Sequence, residues 1–201
     1  MTFFPDRINL LLKTKTSAVV AIEGNSTAGK STLAAFFKEK YSCNVVSTDH
    51  FFLRPEQRTL QRLAEPGGNI DYERFFDSVI LPLKSGNDFD YIPYNCQTGS
   101  FDDPVTICSN KLTVIEGVYC MHPVFSGMSN KRRDYNVYDI TVFLEIDEDE
   151  QKRRLKSRNP KLYERFINEW IPMENKYFGF FDIAGRCDYV MGSEEIPGKK
   201  E

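Results

Sequence analysis

Eight residues near one end leave this chain little freedom in choosing a fold. Gly24-Asn25-Ser26-Thr27-Ala28-Gly29-Lys30-Ser31 lies between an apolar run at 18–23 and a helix-forming stretch from Lys30 to Tyr41. An apolar run without polar alternation marks a strand covered on both faces, as in a parallel sheet. Glycines at 24 and 29 permit the sharp turn that carries such a strand into a helix. Four more runs of this kind follow at 44–47, 112–116, 140–144 and 188–191, with helical patterns between or beside them at 72–83, 148–157 and 161–168. The last continues toward Trp170, and Pro172 limits how far it runs undisturbed. Strands alternating with helices specify an α/β fold around a parallel sheet. The rhythm breaks at 86–110, where 89–94 and 105–108 read as two strands around a polar turn, a β-hairpin inserted beside the main sheet. The 201 residues fit one domain, 1–201, with a core at about 17–192. The polar end at 193–201, containing Pro197 and Gly198, reads as a flexible tail.

The octapeptide also fits G-x-x-x-x-G-K-[ST] in full, in the strand–loop–helix setting that gives the motif meaning. The expected architecture is therefore a P-loop NTPase three-layer sandwich: a five-stranded parallel sheet, helices on both faces, and the small β-hairpin insertion. In such a loop the backbone of Gly24, Asn25, Ser26, Thr27, Ala28, Gly29, Lys30, Ser31 and Thr32 wraps phosphate oxygens with N–H groups, and the helix start adds its positive end. Lys30 places a point charge on the β/γ-phosphates, and the Ser31 hydroxyl is a ligand for Mg²⁺. ATP and Mg²⁺ are the cofactors this implies.

Open α/β sheets bind ligands beyond the carboxyl ends of their strands. Asp49 follows the run at 44–47, and Glu116 ends the run at 112–116. A carboxylate at either place can hold Mg²⁺ or its waters, or accept a proton from an attacking hydroxyl. Asp49, within Ser47-Thr48-Asp49-His50, equally has the chemistry of a turn cap. Arg153, Arg154 and Arg158 fall in the helical pattern after the fourth strand, and Arg154 and Arg158, four apart, share a face. Their guanidinium groups could clamp a moving phosphoryl as a lid, or pair locally with Glu148, Asp149 and Glu150. His50 has no metal partners at ligand spacing, and His122, before Pro123, reads as a solvated loop residue.

Other classes of protein fit poorly. A formal net charge of -3 argues against a general nucleic-acid binder. Five cysteines, widely spaced and without a C-x-x-C pair, point to reduced thiols rather than a disulfide framework or zinc ribbon. No stretch approaches the ~18 apolar residues of a membrane span. The run at 8–12 is too short and too flanked by charge for a leader. A cytoplasmic protein with small-molecule partners, no nucleic acid and no membrane is expected, and assembly into a homo-oligomer stays open. Asn110-Lys111-Leu112-Thr113 approaches the guanine-reading N-K-x-D motif of GTPase switches, but ends in Thr where an apolar strand begins.

The loop, Ser47-Thr48-Asp49-His50-Phe51-Phe52, Asn69-Ile70-Asp71-Tyr72, Val114-Ile115-Glu116-Gly117 and the arginine helix occur in an order that resembles the uridine kinase family, which stands with phosphoribulokinase and bacterial pantothenate kinase. The resemblance covers about 17–192. It implies an ATP- and Mg²⁺-dependent phosphotransferase acting on a hydroxyl of a nucleoside or similar small molecule. Asp49 resembles the family's catalytic aspartate, Asp71 the aspartate that binds ribose hydroxyls, Glu116 the magnesium-associated acid, and Arg154 and Arg158 the lid arginines. Asp71 fits a helix N-cap as well. After Tyr94 the family's base-reading histidine is replaced by Asn95-Cys96-Gln97, leaving Tyr94 to stack on a base or pack the hairpin, and Gln97 to offer donor and acceptor together. The alternatives are a kinase for another small alcohol, pantothenate-like or sugar-phosphate, and a non-catalytic nucleotide-binding regulator. Arg54 and Arg58 lie in a segment unlike the best-known members, where they could add cationic groups to the acceptor site.

Overall fold

The computed structural model describes residues 4–126 and 137–197. Its centre is a five-stranded sheet: β1 (Ala18–Gly24), β2 (Asn44–Ser47), β3 (Leu112–Glu116), β4 (Ile140–Glu145) and β5 (Tyr189–Gly192). The strand order is β2-β3-β1-β4-β5 and every pairing is parallel. All five expected strands form, none displaced by more than one residue at either end.

The sheet is apolar on both faces because both are covered. Val20 and Ile22 of β1, with Leu112, Val114, Ile140, Val142 and Leu144, join one core. Two helices cover it: α1 (Phe4–Thr14), through Phe4 and Ile8, and α2 (Lys30–Tyr41), through Leu33 and Phe37. Ala21, Val46, Ile115 and Phe143 turn to the opposite face, where Phe51, Phe75, Val79, Ile80, Tyr177 and Ile183 form the second core. These are the three layers. Helix α1 was not legible in the sequence: its apolar run is short, and the helix forms because Phe4 finds the Phe37 ring edge-on at 5.2 Å.

The two predicted helices that contain a proline are continuous but locally widened. A π turn at Phe76–Ile80 precedes Leu81-Pro82, and a second at Phe166–Trp170 precedes Ile171-Pro172. Proline lacks an N–H, and its ring would strike the carbonyl four residues back in an α-helix. The wider turn removes that clash, with Leu81 N–H donating to Phe76 O and Ile171 N–H to Phe166 O. The helix therefore carries on past Pro172, further than the sequence implied. The charged helix α3 (Glu148–Arg158) and α4 (Ile171–Phe181) flank the carboxyl ends of the strands.

The insertion forms two short antiparallel pairs rather than one hairpin: Phe89–Tyr91 with Val105–Ile107, and Tyr94–Asn95 with Ser100–Phe101. The segment expected as a flexible tail is docked as far as it is described. Ser193 N–H donates to Glu145 O at 2.8 Å, and Ile196, 4% exposed, packs beneath the glycine loop. Residues 198–201 lie outside the described residues. All five cysteines are unpaired thiols. Among the described residues no helix is long and apolar enough to cross a membrane.

Candidate active site

The loop 24–31 joins β1 to α2 in a geometry its glycines dictate. A Cβ on Gly24, whose φ is +137°, would lie 2.2 Å from Leu144 O, so the backbone passes β4 at a distance only glycine allows. Thr27 holds φ +63°, unusual for a β-branched residue and typical of a loop whose shape is imposed by its task. The Lys30 ammonium folds back over the loop and donates to Gly24 O at 2.8 Å and Asn25 O at 2.9 Å. The first amides of α2 have no carbonyls within the helix to bond, and so present donors and the positive helix end at the loop.

This loop opens into a cleft of about 940 Å³. Of the expected residues, Ser26, Thr27, Gly29, Lys30, Ser31, Thr32, Asp49, Gln97, Glu116, Arg154 and Arg158 line it. Gly24, Asn25 and Ala28 do not line it. They shape the loop from behind, Ala28 within the α2-side core and Asn25 toward a smaller cavity with Ile146 and Gln151. Asp49 stands on the 3-10 turn Thr48–Phe51 that follows β2, exposed to the cleft. Glu116 ends β3 nearly buried, its Oε2 accepting from Ser31 Oγ at 3.3 Å. Burial pushes the Glu116 carboxyl above its usual range and neighbouring Asp49 adds to the rise, while Ser47, Lys30 and Ser31 oppose it.

Ser31 and Glu116 are hard oxygen donors held together with Asp49 nearby. No group of three or more His, Cys, Asp or Glu able to cage a metal occurs among the described residues. That donor set fits Mg²⁺, which keeps several waters and binds through one or two carboxylates plus substrate phosphates.

Two residues expected as substrate contacts, Asp71 and Tyr94, also have partners within the fold. Asp71 is buried and caps the helical turn Tyr72–Phe75: its Oδ1 accepts from Arg74 N–H at 3.1 Å and its Oδ2 from Gln57 Nε2 at 2.9 Å. The N-cap alternative is formed. Tyr94 is buried against Phe101, ring centroids 5.5 Å apart. His122 is not solvated. It stacks between Tyr72 and Tyr177 and meets Pro66 O at 3.3 Å, and burial holds its imidazole down at about 4.

Two arginines of α3 pair locally, and one of them also reaches the glycine loop. Glu150 takes Arg153 and Arg154, while Arg154 also donates to Thr27 O at 3.1 Å and Ser193 Oγ at 3.2 Å, tying α3 to the loop. Arg158 is exposed on the cleft wall. Sequence reasoning missed Glu23, Glu174 and Arg165. Glu174, on α4 and 4% exposed, accepts from Ser26 N–H at 3.0 Å and from the Ser26 hydroxyl. Burial raises its carboxyl above the usual range, and Lys30 opposes that rise. Arg165 reaches the cleft from the segment before α4 and stacks on Trp170. A charged residue closing an apolar strand was the one sequence signal for Glu23. Glu174 and Arg165 carried none, since their faces depend on the π turn.

A parallel sheet in this order, with the glycine loop leading into α2 and carboxylates at or just beyond the ends of β2 and β3, is the fold of the P-loop kinases on which the chain superposes. Among particular proteins, the chain is 28% identical over 136 residues to a phosphoribulokinase of Synechocystis sp., an alignment covering 64% of this chain and 40% of that one. This chain thus spans well under half the length of that curated relative. It superposes on a protein described as a possible uridine kinase from Bacillus stearothermophilus with a TM-score of 0.64 and 21% identity, over 93% of this chain and 98% of the other. For phosphoribulokinase from Rhodobacter spheroides the TM-score is 0.53 at 14% identity, over 88% and 70%. No protein-family model matches the sequence.

Proposed function

We infer that this chain is a small-molecule kinase that transfers the γ-phosphoryl of ATP, with Mg²⁺, to an alcohol, a nucleoside or a comparable hydroxyl compound. One observation carries the reading: Asp49 faces the same cleft as Lys30, Ser31 and Glu116. The loop amides and Lys30 bind the triphosphate, and Ser31 and Glu116 would hold Mg²⁺, which would supply charge neutralisation to the phosphates. Asp49 orients the acceptor hydroxyl and takes its proton. The acceptor oxygen bonds to the γ-phosphorus as the bond to the β,γ-bridging oxygen breaks, its electron pair leaving with ADP. Arg158 and the Arg154 strap supply positive charge as negative charge spreads over the moving group.

The test separates binding from transfer. Asp49→Asn is expected to lower transfer at least a hundredfold while ATP affinity, measured by titration, stays within a few-fold of the parent. Lys30→Ala is expected to weaken ATP binding itself. Unchanged transfer by Asp49→Asn removes that residue from the mechanism, and ATP binding with no transfer to any alcohol favours the regulatory reading.

A further inference from the structure

Ser26, in the glycine loop, is held on every polar atom it has. Gln151 Nε2, from α3, donates to its carbonyl at 3.0 Å. Glu174, from α4, accepts its N–H at 3.0 Å and its hydroxyl as well. Glu174 is the unexpected member of this set. It is a carboxylate, 4% exposed, set against a loop whose backbone suits anions, and both of its partners are neutral groups of Ser26.

The side chain has no route of retreat, because α4 is anchored in the turn that follows it. Tyr177, fully buried, donates its hydroxyl to Glu23 Oε2 at 3.2 Å, and Lys176 Nζ donates to Ala64 O at 2.6 Å. A triphosphate gripped by Lys30 arrives beside this carboxylate, since the Lys30 ammonium rests on Gly24 O and Asn25 O, immediately before Ser26. Two negative groups meeting where water is excluded repel, and a proton on the carboxylate removes the repulsion.

The charges around Glu174 bear on whether that proton is taken. Lys30, from α2, opposes protonation, and a bound phosphate shares its charge. Asp49, beyond β2, favours protonation, and Glu116, at the end of β3, is a further acid in the cleft. Tyr119, after β3, feels the carboxylates of both Glu174 and Glu23, the latter from β1. The nearby guanidinium groups are engaged elsewhere, Arg154 of α3 by Glu150 and Thr27 O, and Arg165 by Glu169.

We propose that Glu174 is a proton-linked latch on the glycine loop: its carboxylate holds the Ser26 amide and hydroxyl, and Mg²⁺·ATP binding draws a proton from the solvent onto Glu174. This rests on the nucleotide-binding reading above and adds a pH-dependent control to it. No bond of ATP changes in the step. A buffer acid gives up the proton and the carboxylate gains it, so Glu174 takes no part in the transfer itself. Because binding favours the protonated form, affinity rises as pH falls, until Glu174 is protonated before ATP arrives.

The experiment titrates Mg²⁺·ATP calorimetrically into the full chain without an acceptor, from about pH 5 to 8.5, in buffers of differing ionisation enthalpy. The slope of observed heat against that enthalpy counts the protons taken up. Parent minus Glu174→Gln is expected to peak at about 0.4 proton, the value that a fivefold affinity difference implies. Over the same series the parent's affinity is expected to rise about fivefold toward that of Glu174→Gln. Infrared difference spectra of the parent, which do not depend on the variant's folding, are expected to gain the C=O stretch of a protonated carboxyl group on nucleotide binding. No uptake by the parent at any pH, equal uptake by Glu174→Gln, or no new carboxyl band each overturns the proposal. Failure of the parent to bind Mg²⁺·ATP at all instead overturns the nucleotide reading, and the latch with it.

Discussion

Glu174 sets its carboxylate against the glycine loop from α4, taking the Ser26 N–H and hydroxyl in a cleft that also holds Lys30, Asp49 and Glu116. It contributes negative charge beside the proposed phosphate site. At an effective dielectric near 20, one such charge within several ångströms opposes a bound phosphate by about 1 kcal/mol or more. Glu174→Gln keeps an acceptor for the Ser26 N–H and removes that charge. The variant is expected to bind Mg²⁺·ATP roughly fivefold more tightly in a titration. Equal or weaker binding would show that the carboxylate does not face the phosphates. Glu23, one residue before the loop, is different: it is fully buried and every partner is a donor. Its Oε1 accepts from Gly24 and Tyr119 N–H, and its Oε2 from Met121 N–H and Tyr177 hydroxyl. One side chain thereby joins the cradle, the segment after β3 and α4.

The two π turns act as spacers within otherwise regular helices. In the second, the extra residue ahead of Pro172 decides which way Arg165 and Trp170 face relative to Glu174, because a single-residue slip in a helix rotates everything beyond it by about 100°. Pro172→Ala removes the ring that makes the α-helical turn impossible. The variant is expected to gain about 1–3 kcal/mol of helix stability, visible as a higher thermal midpoint. The same relaxation swings Arg165 off the cleft wall and lowers kcat/KM for ATP. A lower midpoint, or a midpoint and kcat/KM both unchanged, would mean that packing rather than the proline maintains the wide turn. Helix α3 needs no such device. Asp147 caps it by accepting from Asp149 and Glu150 N–H, its acids lie in the first turn and its bases in the last, as the helix dipole favours.

For the whole molecule, two buried groups give opposing pH dependences. His122 is held down at about 4 by burial, against an ordinary 6.5, so below 6.5 the unfolded chain binds a proton that the folded one refuses. Its contribution is complete above 6.5 and is lost as pH falls toward 4. Glu23 is pushed up to about 7 by burial, against 4.5, so the folded chain keeps a proton that the unfolded one has released. Its contribution is present below 4.5 and is lost as pH rises through 7. Between 4.5 and 6.5 the two slopes oppose one another, each up to about 1.4 kcal/mol per pH unit. In urea unfolding across that window, Glu23→Gln is expected to lose stability on acidification relative to the parent, and His122→Phe to gain it. Three parallel profiles would show that neither group is perturbed by burial.

The strand runs and the glycine loop were legible because each depends on local chemistry: doubly covered strands must be apolar throughout, and a phosphate loop needs glycine where side chains cannot fit. Asp49 and Glu116 were legible because a strand's end is marked in the sequence and the sheet's carboxyl edge is where ligands bind. What one chain of letters left undecided was which of two roles a residue plays. Asp71 caps a helical turn and is joined there by Gln57, fourteen positions earlier. Glu174 and Arg165 face the cleft because of a turn that a proline widens, and His122 is buried because Tyr72 and Tyr177 arrive from distant segments. Sequence by itself determined the sheet, the cradle and the acids at its edge. Only the tertiary structure decided which charges meet across the cleft, because pairing between remote side chains depends on packing geometry that no local pattern encodes.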